Sequence, residues 1–243
     1  MSYAQAVRES TLGFFGSGSN CGCSNCSRPR LGEPAPAALP RPVFRLDCTA
    51  ANCPLPTLQQ CRDTVRLAAA DAIRLCIRAA ERLDAAHPGT VAHFVRIFGH
   101  RPTRPVPWAN NRPSGEIVAH RLRRVAEALH GRVVHFQCVC PGAPAGVNGR
   151  TNAAVDPNII RLCARFWNRV ATATLNNRNF RAGVILHEML HLIYHQFFHH
   201  AGHPSGDPER HRDNSHCYEA FVLLANGLNP EQGDLDACAA RPF

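Results

Sequence analysis

No stretch of this 243-residue chain approaches the roughly 18 consecutive apolar residues that a membrane-spanning helix requires, so no span is expected. Lysine is absent as well: all 27 Lys+Arg positions are arginine, and the formal net charge is +9. Aromatic residues are few, at 7%, and they are not interleaved with the basic positions. That argues against nucleic acid as a partner, because such surfaces stack bases on rings set between cations. The N-terminus also reads as a poor secretory signal, so the expectation is that a leader was removed or that export takes another route. The first residues carry Arg8 and Glu9 ahead of a very short apolar patch, which is not the pattern of a cleavable signal. No internal repeat is found, which excludes a solenoid.

What is present is enough for a folded domain. Hydrophobic residues make up 45%, which supports a real core and excludes wholesale disorder. The arginines are spread along helical segments (Arg62, Arg66, Arg74, Arg78, Arg82) rather than gathered in one run, as on solvated helix faces. Twelve cysteines are many for this length, and the even count suits a disulfide framework and an oxidising destination. The expected location is therefore outside the producing cell, either secreted or delivered into a target cell. Cys21, Cys23 and Cys26 (CGCSNC) offer three thiolates, a weak pattern for a separate structural metal.

Residues 1–56 are rich in cysteine and proline and are read as an N-terminal extension, with a pro-segment as one role. Residues 57–243 are read as one catalytic domain of the α+β class, mostly helical with a small mixed sheet. Leu58, Cys61, Val65, Ala68, Ala72, Cys76, Ala79 and Leu83 recur at helical steps and imply an amphipathic helix ending near His87-Pro88-Gly89. Val91–Phe98 is a short apolar segment. A second helix is expected at 115–130 and a strand at 132–140 (RVVHFQCVC), with further short strands at Ala153–Val155 and Ile159–Cys163. Two more helices are expected near 180–200 and 215–226, the latter capped by Asp213 or Asn214 and followed by Gly227.

The chemistry centres on VILHEMLHLIYHQ. His187 and His191 stand four residues apart, so a helix brings both imidazoles to one face, where they can share a metal ion. Glu188 lies beside them and can take a proton from water acidified by that metal. The apolar flanks Val184, Ile185, Leu186, Met189, Leu190, Leu192 and Ile193 indicate a buried helix, and a buried Glu with two His needs partners. A catalytic zinc also takes a third protein ligand. His211, Asp213, His216 and Glu219 all have suitable side chains, and spacing does not choose among them. His195, His199, His200 and His203 follow the motif too closely to turn back onto its metal.

The run Ile159–Trp167 (IIRLCARFW), followed about twenty residues later by VILHEMLH, resembles the aspzincin metalloendopeptidases, the deuterolysin and lysine-specific metalloendopeptidase group. Their pattern is approximately I-x-L-C-x-x-F-W followed by a LIHE-x-x-H helix. Phe94–Gly99 (FVRIFG), the helix at 115–130 and the strand ending HFQCVC follow the same order, so the likeness covers roughly 57–228. The resemblance implies a zincin-like domain, a zinc cofactor and hydrolysis of peptide bonds in protein substrates. Laying the family's N-A-D-S-Y segment over Asn214–Tyr218 puts His216 where its aspartate ligand is expected, a departure from the pattern. His216 is thus the preferred third ligand, ahead of Asp213 and Glu219, and Glu219 is one turn along and able to orient the His216 ring. Tyr218 is implied as a donor to the oxyanion of the tetrahedral intermediate. Cys163 and Cys217 are read as packing or disulfide residues. The expected function is a zinc-dependent endopeptidase, with a delivered bacterial toxin or effector as a subclass. A non-catalytic metal- or nucleic-acid-binding protein is the alternative.

Overall fold

The computed structural model describes residues 42–143, 146–152, 154–168, 176–194 and 213–238. The fold is α+β, mostly helical with one small mixed sheet, and the compact body begins at Pro42. Residues 42–56, read from the sequence as part of the extension, belong to this unit. Strand β1 (Phe44–Asp47) pairs in parallel with β4 (Val134–Gln137), and disulfides Cys48–Cys138 and Cys53–Cys61 tie residues 48 and 53 to the body. The prolines around this segment stop it being helical, but the four residues of β1 contain none.

The long helix α1 (Leu58–Asp84) starts at a reciprocal cap in which Thr57 and Gln60 each bond the other's backbone N–H. Its buried stripe is rich in alanine, including Ala68, Ala69, Ala72, Ala79 and Ala80. Small side chains let neighbouring helices lie close, and α1 is packed by α3 (Ser114–Gly131) and α5 (Asn177–Tyr194). The apolar segment at 91–98 belongs to helix α2 (Pro88–Phe98), with Pro88 in its first turn and Gly99 at φ 72° past its end. Phe94 and Phe98 of α2 meet Tyr218 and Phe221 of α6 (Ser215–Ala225) in a buried aromatic cluster with ring centroids 5.5–5.7 Å apart.

A two-stranded hairpin, β2 (Pro105–Val106) with β3 (Arg112–Pro113), leads into α3. The main sheet has the order β1-β4-β6-β5, where β6 is Ile159–Leu162 and β5 is Gly149–Thr151. β1, β4 and β6 are parallel. β5 runs antiparallel to β6 and lies at the sheet's edge among the described residues. Ala154 and Val155 form a turn rather than the expected strand, and β5 takes that place four residues earlier. The short helix α4 (Ala164–Asn168) follows β6 and carries Phe166 and Trp167 into the core. A further helix, α7 (Gln232–Cys238), was not anticipated.

Disulfides Cys140–Cys163 and Cys217–Cys238 complete four pairs, and Cys76 is a free thiol buried in α1. Four disulfides are compatible with an oxidising compartment. No described helix is long and apolar enough to cross a membrane. The Cys21–Cys26 cluster, His195, His199, His200, His203 and His211 lie outside the described residues.

Candidate metal centre

Helix α5 is buried from Ala182 to Leu192, so apolar residues occupy nearly its whole circumference and its polar side chains must find partners inside. His187, Glu188 and His191 all lie inside, each less than a tenth exposed. Four-residue spacing stacks the two imidazoles, and their Nε2 atoms are 3.2 Å apart. Two nitrogens bound to one tetrahedral zinc would be separated by about 3.3 Å, so this pair already has the required spacing. The Ser215 hydroxyl, at the start of α6, is 3.0 Å from each of these Nε2 atoms.

The other nitrogen of His187 faces a carboxylate: Nδ1 is 3.3 Å from Glu219 Oε2. His216 has the same arrangement, with Nδ1 2.7 Å from Asp234 Oδ1 on α7. A carboxylate on Nδ1 fixes the proton there and leaves Nε2 as the coordinating atom, a common setting for metal-ligating histidines. The His187 and His216 rings are 4.3 Å apart, edge to face. His187, His216 and Glu219 present ligand atoms within 4.8 Å of one another, a group that can hold a metal ion. His191 is not part of that trio. It joins His187 on the side away from Glu219.

His187, Glu188, His216 and Glu219 open onto a cleft of about 920 Å³, lined also by the loop before β5, by β5 itself and by the start of α7. Glu188 stands against the sheet edge and accepts a 2.8 Å hydrogen bond from the Thr151 hydroxyl. A Cβ added at Gly149 would come within 2.8 Å of its carboxylate, so only glycine allows the strand this close. Burial pushes the Glu188 carboxyl up to about 7, against the downward pull of the Thr151 bond. Glu219 is raised well above the usual carboxylate range, first by burial and then by the charges of Asp234, Glu231 and Glu188, with Arg165 acting in the opposite sense. Two buried carboxyls whose ionisation is suppressed, set beside imidazoles, are what a divalent cation would relieve, so the donor set fits a metal.

The structure brings His187, Glu188, His216 and Glu219 to one cleft and sets His191 against His187, while the candidate His211 lies outside the described residues. Asp213 is 2.8 Å from Arg121 and so is engaged elsewhere. Tyr218 requires a correction. It is fully buried, does not line the cleft, and its hydroxyl accepts a 3.1 Å hydrogen bond from Arg121. Tyr218 is one residue beyond Cys217 on a helix whose opposite side carries His216 and Glu219, so it points to the aromatic core rather than the cleft. Ser215, Thr151, Gly149, Asp234 and Gly183 were missed. Only the glycines left a signal: Gly183 costs about 1 kcal/mol inside a helix unless a close approach requires it. A Cβ there would sit 2.5 Å from Glu219 Oε1.

No protein-family model matches the chain, and no curated protein sequence matches it.

Proposed function

We propose that the chain is a zinc-dependent endopeptidase with a zincin-like domain. Zinc would be held by His187, His191 and His216, with Glu219 and Asp234 against the Nδ1 atoms of His187 and His216. The observation that carries this reading is the buried Glu188, fixed at the cleft wall by Thr151 one residue from an imidazole that faces two further ligand-type groups. Zinc in this position would polarise the scissile carbonyl and acidify the attacking water.

The chain's own residues account for the remaining steps. β5 lines the cleft as an edge strand, and its outward backbone N–H and C=O groups suit an extended peptide laid alongside it. Glu188 takes a proton from the attacking water and returns it to the amine leaving group. The position of Glu188 at the cleft wall, held by the Thr151 hydroxyl, suits it to both halves of that transfer. Burial keeps bulk water from competing for the proton. The disulfides support an exported enzyme, and a delivered effector is one form of it.

The nucleic-acid form of the alternative is weakened by pairing of surface arginines, while its metal-binding form shares the same donor group and is separated from the enzyme reading only by a test of hydrolysis. Arg66, Arg74, Arg123, Arg124 and Arg178 are each paired with a carboxylate on the same or a neighbouring helix. The direct test is incubation of the zinc-loaded chain with an unfolded protein substrate, with fragments read by mass spectrometry. New termini from the wild type, and none from E188Q or after chelation, are expected. An intact substrate with stoichiometric zinc bound would refute the enzyme reading.

A further inference from the structure

We infer that Asp234 is a positioning residue for the metal centre, carried by a helix that is fastened at both ends around it. The inference rests on the reading of His216 as a ligand proposed above.

Asp234 is 20 residues beyond Asn214, on a helix of only seven residues that could not hold its place by its own hydrogen bonds. Two contacts fix it. Just ahead of the first turn, both carboxylate oxygens of Glu231 accept from Nη2 of Arg165 on α4, at 2.8 and 2.9 Å. The Glu231 carbonyl also accepts from the N–H groups of Asp234 and Leu235, so the anchored residue starts the helix. In the last turn, Cys238 is bonded to Cys217, the residue next to His216. Cys238 lies four residues past Asp234, so both belong to one face of α7 and that face is turned to α6.

Between the two fastenings, Asp234 Oδ1 meets His216 Nδ1 at 2.7 Å, while the Asp234 side chain is 12% exposed. His216 is itself a quarter exposed at the cleft, the least enclosed of the three imidazoles. His187 and His191 are set by a buried helix and by each other. His216 has Asp234 to set its tautomer and its angle. The third ligand is therefore conditional on α7, which makes the Cys217–Cys238 bond part of the metal site without touching the metal.

The test uses the full chain with zinc alone as the probe. Zinc affinity is read by competition with a chromophoric chelator, and the His216 tautomer is read by nitrogen-15 NMR on metal-free protein at a pH where the imidazole is neutral. D234A is expected to weaken zinc binding about 10- to 100-fold. D234N, which keeps an acceptor but not the charge, is expected to fall between D234A and the wild type. Replacing both Cys217 and Cys238 by alanine should reproduce the D234A loss, with little more lost when D234A is added. Metal-free wild type should carry the His216 proton on Nδ1, and D234A should show a mixture. Zinc affinity in D234A within twofold of wild type would overturn the inference. So would a wild-type His216 protonated on Nε2, a result that needs no variant to fold. If the wild type binds no zinc while its tautomer is as expected, the ligand reading fails and Asp234 still orients the ring.

Discussion

Replacing Glu188 by glutamine separates its two consequences, one for stability and one for catalysis. The carboxyl is fully buried, and its ionisation is displaced from the ordinary 4.5 to about 7. In metal-free protein the folded state therefore keeps a proton that the unfolded chain releases between pH 4.5 and 7. The unfolded state binds fewer protons across that window, so stability falls as pH rises through it. From pH 5 to pH 8 the loss from this one group is roughly 2–3 kcal/mol, about two decades of pH at 1.4 kcal/mol each. Glutamine is isosteric, can still accept from the Thr151 hydroxyl and does not ionise, so E188Q removes this part of the slope. Urea unfolding in the presence of chelator should show E188Q gaining on the wild type by roughly that amount between pH 5 and pH 8. Peptide hydrolysis by the zinc-loaded variant should drop by at least about 100-fold, the lower end for loss of a general base. A stability difference that does not change with pH would refute the argument that burial holds this carboxyl protonated. Undiminished hydrolysis would refute its role as base.

Y218F is expected to cost about 1.5–3 kcal/mol in thermal unfolding, because it removes an acceptor from the buried Arg121, and to leave kcat/KM nearly unchanged. A large loss of kcat without loss of stability would restore the oxyanion role. G183A should push Glu219 from His187 and lower zinc affinity about 10-fold or more, as E219A also should; in a double-mutant cycle the two losses should not add. R121A should destabilise the fold by about 3 kcal/mol in denaturant titration, since it strips the ion pair from Asp213 and the donor from Tyr218. Affinity for zinc should survive that change. H191A and H216A should each reduce bound zinc in metal analysis, and an H191A variant with wild-type affinity would leave His187, His216 and Glu219 as the ligand set.

The helices at 58–84, 114–131, 177–194 and 215–225 were readable because each repeats an apolar stripe over several turns, whereas 88–98 registered only as a short apolar segment and the helices at 164–168 and 232–238 are too short to show a stripe. The Thr57–Gln60 cap, Pro88, Gly99, Asn214 and Gly227 all occupy positions their residue types favour. β1 and β5 were not readable. β5 has only three residues, too few for a period of two to register, and β1 sits among prolines that suggest an irregular segment. The HExxH helix was plain from spacing and apolar flanks alone. Its supporting groups were not, because Thr151, Ser215 and Asp234 are common polar residues whose importance comes from tertiary proximity, which no local pattern encodes. The Tyr218 assignment failed for a related reason. A motif laid over five residues fixes position along a helix, but the face is set by what the helix packs on, and Phe98 and Arg121 claim that side.

X-ray absorption at the zinc edge of the stoichiometrically loaded chain tests the central claim most directly. The account requires three imidazole nitrogens at about 2.0–2.1 Å with a light atom completing the shell, and loss of one imidazole in H191A and in H216A. Sulfur at about 2.3 Å would place the ion on cysteines instead, and failure to retain zinc at all would remove the basis for hydrolysis by this helix.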